Sequence, residues 1–310
     1  MQGIYSPLAA HLSVVLACLF ATIASAEEPP TSDKAIPVEN LLTSKGKVNL
    51  GFGLVYANSE RSRVQVGDMV LIQTGPSQFV RVPIEVGELR VNTDTLVATP
   101  SLRYGVTENT QLSLRGSYST NYARTQGLSG SDSSSSSRFV GAYLGIDHRL
   151  QKEGKTPGLI GLLDVALAEN NSISGSDISY ARSWLIGITA YRVFEPLVLS
   201  ATAAYQMNLA RQRDGQQFDP GNLIVFSPSL NFIPNRDSSF GLGFAWVLGG
   251  SDVVDGSESS IVQTRTDLNL YFSYAWSKPL LLFFTLNSNI SGKGGASIGL
   301  SSSYTFGGSG

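Results

Sequence analysis

The chain has 310 residues, 15% of them charged, and a net charge of −2. This balance leaves no basic surface for nucleic acid, which is excluded as a partner. Apart from the amino-terminal region, no apolar run reaches the roughly 18 residues of a membrane-spanning helix. The one cysteine is Cys18, so no disulfide or thiol chemistry is expected in the mature protein.

Residues 1–26 are predicted to be a secretory signal peptide. An apolar run over 12–23 is followed by Ala24-Ser25-Ala26, the pattern of a signal cleavage site. A lipidated Cys18 and a retained membrane anchor are the alternatives. The prediction places the mature protein outside the cytoplasm.

Residues 27–46 are predicted to form a periplasmic N-terminal segment. Pro37 stands at the first turn of a short helix that would run to Leu42. Such a helix would plug a barrel. A disordered tail is the alternative, and the sequence leaves both open.

Residues 47–306 contain twelve stretches in which apolar side chains alternate with small or polar ones. In 239–248, Phe240, Leu242 and Phe244 share one face, and glycines share the other. Because side chains of a strand alternate between two faces, this pattern predicts an all-β, antiparallel up-and-down transmembrane barrel with a polar lumen. The predicted strands are 47–58, 94–104, 110–120, 138–150, 158–169, 180–192, 197–207, 223–232, 239–248, 264–274, 280–289 and 296–306, with a tail at 307–310.

The connections alternate between short turns and long loops. The long ones are 59–93, 121–137, 170–179, 208–222 and 249–263, as is typical of the extracellular end of such a barrel. Residues 59–93 alternate around a turn at 74–77, so they form a hairpin above the membrane, a hairpin folded into the mouth, or two more spanning strands that raise the count to fourteen. Asp68 and Glu85 interrupt the apolar faces and favour a loop.

Details of three strands carry further predictions. In 138–150, Val140, Ala142, Leu144 and Ile146 are predicted to face lipid. Pro100 and Pro228 cannot donate to a ladder and are predicted to lie at bulges.

Outward aromatic residues are predicted to form two girdles, where lipid meets water. Those near the long-loop ends are Tyr56, Tyr118, Trp184, Tyr205 and Trp246, and those near the short-turn ends are Tyr104, Phe232, Phe240, Tyr274 and Phe306.

The lumen is where charged residues avoid lipid. The inward candidates for solute selection are Arg103, Arg115, Asp147, Arg149, Asp164, Arg265 and Asp267. Either they select solutes or they pair and fill the lumen. Three of the arginines lie on neighbouring strands with Asp147 alone, a sector that is net basic by two and suits an anion or the acidic N-terminal segment.

No catalytic residue, metal ligand set or cofactor is predicted. His11 leaves with the signal peptide, and His148 faces outward without a serine partner. Asp252, Asp255 and Glu258 share one long loop, where solvated charge and a weak Ca²⁺ site are the two interpretations.

The entry Glu39–Lys47, the run Tyr56-Ala57-Asn58-Ser59 and the segment Thr99–Glu108 resemble the outer-membrane protein family named for the meta-pathway of phenol degradation. The resemblance implies an outer-membrane channel for uptake of small hydrophobic molecules. The chain is more distantly similar to twelve-stranded channels that secrete functional-amyloid subunits. Those channels have a long N-terminal helical region, where this chain has only residues 27–46.

The predicted function is passive passage of small molecules, hydrophobic, aromatic or anionic, across the outer membrane. The alternatives are a structural or surface-binding barrel and an export channel for a fibre subunit. The expected partners are membrane lipid, the barrel-assembly machinery and a solute. Arginine at Leu242 or Leu270 is expected to destabilise the barrel, whereas arginine at Gly243 or Asn269 would alter conductance.

Overall fold

The computed structural model describes residues 42–61, 69–75, 77–83, 90–127, 130–172, 177–291 and 295–306. The predicted signal peptide, most of the N-terminal segment and the predicted tail at 307–310 lie outside these residues. No helix in the described part of the chain is long and apolar enough to cross a membrane.

Twelve antiparallel strands form the wall of a closed barrel. They are β1 (Val48–Arg61), β4 (Arg90–Gly105), β5 (Thr110–Gly127), β6 (Gly130–Gln151), β7 (Gly158–Asn170), β9 (Ser183–Phe194), β10 (Leu197–Asn208), β13 (Leu223–Phe232), β14 (Ser238–Gly249), β17 (Gln263–Ser277), β18 (Leu280–Asn289) and β19 (Ala296–Phe306). Each pairs with the wall strand before and after it, and β1 pairs with β19. The predicted up-and-down barrel of twelve strands is confirmed.

Seven shorter strands complete the described structure. They are β2 (Met69–Gly75), β3 (Gln78–Pro83), β8 (Ile178–Ser179), β11 (Arg211–Arg213), β12 (Gln216–Asp219), β15 (Val253–Val254) and β16 (Ser257–Glu258). In the described part of the chain, β2 and β3 form a sheet of their own, so the fourteen-strand alternative is wrong. Strands β11, β12, β15 and β16 form a small sheet at the long-loop end, here called the loop sheet.

The outer face of the wall is apolar. Leu50, Phe52, Leu242 and Ile186 are all exposed, with 61% of Ile186 accessible. A continuous exposed apolar surface of this kind is unstable in water and suits hydrocarbon. In strand β18, Phe284 is exposed on the outer face, between its ladder partners Phe272 and Leu300.

Val140 is an exception to the predicted outward face. It is 3% exposed and lies inside the barrel. The cause is a bulge in the ladder of β5 and β6, where Ser117 pairs with Gly141 but Tyr118 pairs with Phe139. The extra residue turns Val140 inward and puts Phe139 on the outer face.

The two prolines do not lie at bulges, which corrects that prediction. Around Pro100, Ala98 pairs with Tyr118 and Ser101 with Arg115, so the register is the same on both sides. The ladder around Pro228 behaves likewise. Each proline leaves a local gap in one ladder and keeps its pairing on the other side of its strand.

Residues 121–137 are also mostly strand, although a loop was predicted. The run of serines at 133–137 continues β6 and pairs with the upper part of β5. Serine runs show no apolar alternation, so the sequence carries no strand signal there. The ladder hydrogen bonds come from the partner strand instead.

Candidate functional site

The inner wall near the short-turn end is polar. Hydroxyl pairs bridge neighbouring strands: Thr189 with Thr202 at 2.8 Å and Ser200 with Ser229 at 2.7 Å. Asn49 donates to Ser303 Oγ at 2.7 Å. Side chains of this kind can line a water-filled path.

The hairpin of β2 and β3, here called the inner hairpin, lies inside the barrel. One of its faces is apolar and packs on one part of the wall. The buried cluster is formed by Ile72, Val80 and Val82 with Val55, Val97 and Val140, which belong to β1, β4 and β6. Of the three positions left open for residues 59–93, the described part therefore adopts the one folded inward.

The other face of the inner hairpin packs on a different part of the wall. Phe79 is 6% exposed and Leu71 packs beside it. Their wall partners are Leu185, Ala204, Leu223, Val225, Ala245 and Val247, on β9, β10, β13 and β14. Because the hairpin touches wall segments on both sides of it, it obstructs the bore.

Polar contacts also hold the inner hairpin. Arg265 Nη1 donates to the Leu71 carbonyl at 2.6 Å, while its Nε donates to both carboxylate oxygens of Asp267 at 2.8 and 2.7 Å. Asp267 is fully buried. These two predicted lumen residues therefore form an ion pair that positions one strand of the hairpin.

Arg81 ties the hairpin to the long-loop end. Its Nη2 donates to the Gly221 carbonyl at 2.7 Å, and its Nη1 lies 3.3 Å from Asp252 Oδ1. Asp252 also accepts from the Gly221 amide at 2.8 Å. Of the three acidic residues considered for Ca²⁺, Asp252 is thus engaged by a guanidinium, and no group of three potential metal ligands occurs among the described residues.

A second charged group lies on β4 to β7, nearer the short-turn end of the bore, which is here called the lower bore. Arg115 Nη2 lies 3.3 Å from Asp164 Oδ2, and its guanidinium lies 4.4 Å from the centre of the Tyr143 ring. Asp147 accepts from Gln111 at 2.7 Å. Arg103 is exposed and within electrostatic range of both carboxylates.

The assignment of Asp164 to a different sector is therefore wrong. Arg115 on β5 reaches past β6 to Asp164 on β7 because both side chains point into the same narrow lumen. The predicted sector of three arginines therefore holds two carboxylates, Asp147 and Asp164, and not Asp147 alone. Its net charge is +1, half of the predicted value.

The chain enters the barrel along its inner side. Leu42 is 6% exposed and packs with Ile160 and Tyr191 on β7 and β9. The Thr43 amide donates to Gln111 Oε1 at 2.7 Å. Residues 42–46 therefore cross the short-turn end of the bore as an inner strap, and the predicted helix before them lies outside the described residues.

Gly105 makes room for this strap. A Cβ atom there would lie 2.1 Å from the Ser44 carbonyl oxygen and 2.4 Å from that of Thr43. We expect Gly105→Val to expel the strap while the barrel persists, because the clash is with backbone that cannot rotate away. Limited proteolysis near residue 44 should then become faster, with heat-modifiable gel migration retained. Gly154→Val, at a turn with open space around it, is the control, and equal protease resistance in both variants would contradict the prediction.

A narrow polar crevice with room for about one water molecule lies beside the inner hairpin. Its lining includes Phe79, Arg81, Tyr143, Glu169, Arg211 and Phe218. Arg211 is almost buried and pairs with Glu169 at 2.9 Å. Burial lowers the pKa of the Arg211 guanidinium, and the attraction of Glu169 opposes that shift.

The predicted girdle residues lie on the outer face. Tyr104, Tyr118, Trp184, Tyr205, Phe232, Phe240, Trp246 and Phe306 are exposed. Tyr56 and Tyr274 are half-buried. Tyr56 donates to Asp94 at 2.6 Å, within a polar group that also holds Arg124, so polar contacts begin just above this girdle.

The barrel is similar in fold to a solved outer-membrane channel. That channel, from Pseudomonas putida F1, is 11% identical, with a TM-score of 0.57 and a match over 90% of this chain and 100% of the channel. At this identity the likeness concerns the fold alone.

Two other solved barrels align less closely. The translocator domain of autotransporter NalP from Neisseria meningitidis has a TM-score of 0.46 at 13% identity, over 96% of this chain and 97% of that domain. The CymD monoaromatic hydrocarbon channel has a TM-score of 0.43 at 12% identity, over 88% and 91%. No protein-family model and no curated protein matches the sequence.

Arg81, Glu169 and Arg211 were not among the residues predicted to line the lumen. A signal for the inner hairpin was present: Leu71 and Phe79 are apolar on the face opposite Ile72 and Val80. Apolar residues on both faces are typical of a strand buried on both sides. The prediction considered only the face with Ile72 and Val80, and the charges of Asp68 and Glu85 led to a loop instead.

Proposed function

We propose that this chain is an outer-membrane channel that lets small solutes cross passively and that is obstructed by its inner hairpin. The observation that carries the proposal is the inner hairpin itself. Within the described part of the chain it has no backbone ladder to the wall and is held by side-chain packing and a few polar contacts. An obstruction attached in this way can move without breaking the barrel.

The outer face supports the location. Its exposed apolar residues and aromatic rims are suited to lipid. We place the short turns in the periplasm and the loop sheet outside the cell. The barrel-assembly machinery would insert such a chain, and the family resemblance of the sequence stays a prediction.

Planar-bilayer recording of the purified full chain tests the proposal. We expect infrequent conductance steps from the wild-type protein. A barrel that folds, migrates heat-modifiably and stays silent even with the inner hairpin shortened would support the surface-binding alternative.

The charged group in the lower bore predicts a weak anion preference. We expect Arg103→Gln to lower the anion-to-cation permeability ratio by about fivefold, because one charge near the path of an ion is worth about 1 kcal/mol even at high dielectric. The measurement is the reversal potential under a salt gradient.

The double variant Arg115→Gln with Asp164→Asn is the matched control. It removes an ion pair without changing net charge and avoids leaving Asp164 buried and unpaired. Its selectivity should equal that of the wild type. If Arg103→Gln and the double variant shift the reversal potential equally, the arginine has no role in selection.

A further inference from the structure

Two of the long loops are joined into one body at the mouth of the barrel. The loop sheet combines β11 and β12, from the loop after wall strand β10, with β15 and β16, from the loop after β14. Phe218 stands opposite Val254 in its central ladder. The two loops also cross closely beside the sheet, where a Cβ atom at Gly221 would lie 2.0 Å from the Gly250 carbonyl oxygen. Because the ladder and this crossing connect the loops, they move as a unit.

The far edge of the loop sheet is attached to the connection after β7. Asp214, at the turn between β11 and β12, accepts from Ser172 Oγ at 2.5 Å, and its amide donates to Asp177. Arg211 of β11 pairs with Glu169 of β7 at 2.9 Å. The attachments of the loop sheet therefore run from β7 to β17, which are six consecutive strands of the wall. The loop sheet lies over this half of the mouth.

The inner face of the loop sheet is packed closely against the inner hairpin. Phe218 is 1% exposed, and the Arg213 guanidinium lies 3.9 Å from the centre of its ring. Phe218 and Phe79 of the hairpin line the same narrow crevice, which has room for about one water molecule. The loop sheet and the hairpin therefore obstruct the bore as two layers with little space between them.

One side chain of the hairpin bonds to both loops. Arg81 Nη2 donates to the Gly221 carbonyl, in the loop after β10, at 2.7 Å, and its Nη1 lies 3.3 Å from Asp252 Oδ1, in the loop after β14. Asp252 also accepts from the Gly221 amide at 2.8 Å. These three residues, here called the latch, join the two layers. The Arg81 and Asp252 side chains are only 19% and 23% exposed, so water screens their attraction incompletely.

We propose that the loop sheet is a lid and that the latch couples it to the inner hairpin, so that the two obstructions open together. This coupling adds a second barrier to the one named in the proposed function, and its effect on conductance rests on that function. Two packed bodies joined by a latch share a coupling free energy, so a change in one shifts the equilibrium of the other.

The packing of the hairpin determines which part of it follows the lid. Arg81 lies on the same strand as Phe79, two residues away, so the latch holds the Phe79 face against the wall. Ile72, Val80 and Val82 stay packed on β1, β4 and β6 by contacts that do not involve the latch. Release of the latch therefore frees the Phe79 face for a local movement.

The test uses a thiol placed beneath the hairpin as a reporter. Ala204, on β10, is 6% exposed and belongs to the buried cluster that contains Phe79. Cysteine differs little from alanine in size, and Cys18, the sole natural cysteine, is changed to serine in every variant. The rate at which a water-soluble maleimide labels Ala204→Cys in the full chain then measures how often the Phe79 face moves away.

Asp252→Asn is expected to raise the labelling rate by about tenfold, as for the loss of a hydrogen bond between charged groups. Asp252 lies in the lid and not in the cluster around the reporter, so the rise would show that the lid restrains the hairpin. Arg81→Gln should have a similar effect. The double variant should label no faster than either single variant, because each alone already breaks the latch.

Asp94→Asn is the matched control. Asp94 pairs with Arg124 at 2.6 Å in the polar group near Tyr56 and has no part in the latch. Its substitution removes the same charge from an ion pair and should leave the labelling rate unchanged. Additive effects of Arg81→Gln and Asp252→Asn, or an equal rise in the control, would overturn the inference, since both outcomes indicate independent loosening of the barrel.

Conductance separates this inference from the channel function. In bilayers, Asp252→Asn should raise the open probability severalfold. Labelling that follows the expected pattern in a barrel silent in every form retains the lid and refutes the channel function. A hairpin-shortened barrel that conducts, while Asp252→Asn changes neither labelling nor open probability, refutes the coupling alone.

Discussion

Replacement of residues 69–83 by a short Gly-Ser linker is expected to raise the conductance of the barrel by about an order of magnitude, because a twelve-stranded bore is wider than one that side chains can fill. The inner hairpin packs on wall strands at both of its faces, so its removal opens the path between them. The large open steps should appear in planar bilayers without any added ligand.

The same packing explains why the wild type should open rarely. Five buried or packed apolar side chains, namely Leu71, Ile72, Phe79, Val80 and Val82, contact the wall. At ~1.5–3 kcal/mol each, full withdrawal would cost about 7–15 kcal/mol as an upper bound. Complete exit is therefore rare, and local movement of one face is the accessible opening.

The matched control shortens a different hairpin. Removal of residues 125–132 takes away the end of the β5–β6 ladder, where Thr125 pairs with Asp132. That end extends the wall beyond the bore, so the conductance should stay at the wild-type level. An equal increase in both variants would mean that any lost loop opens the barrel and that the inner hairpin has no particular role.

Leu242→Arg is expected to destabilise the lipid-reconstituted barrel by about 2–4 kcal/mol, the cost of a cation near the midplane of the lipid face. Leu242 is 42% exposed and lies between Leu230 and Leu270 in the wall. Unfolding in urea, followed by the loss of heat-modifiable migration, measures the difference.

The control for Leu242→Arg is an arginine placed on the inner face of the wall. The two inner residues suggested by the sequence are unsuitable for it. Asn269 is fully buried, and a Cβ at Gly243 would lie 3.1 Å from the Pro228 carbonyl and from Ser229 Cβ. Arginine at either site would be crowded, which makes the expectation of tolerance there wrong. Ser301, half-buried and opposite Gly53 on the inner face, is the better control. Ser301→Arg as damaging as Leu242→Arg would contradict the assignment of faces.

The sequence by itself determined the barrel, the strand count and the face of nearly every strand. The reason is that lipid and lumen impose opposite chemistry on alternate residues, so a run such as 239–248 records its own orientation. It could not place Val140, because a bulge depends on how two strands meet and leaves no mark in either one alone. The strand at 133–137 was not predicted for a related reason. A strand above the lipid has no apolar face, so no alternation of apolar side chains reveals it.

Only the tertiary structure decided what occupies the bore. The position of the inner hairpin depends on its packing against wall strands that include β9, β10, β13 and β14, which are distant from it in sequence. The pairing of Arg115 with Asp164, and of Arg81 with Asp252, brings together residues 49 and 171 positions apart. Alternation within a strand records which face a residue takes, but the partner it meets across the lumen is set by barrel closure, strand stagger and the course of the chain inside the wall.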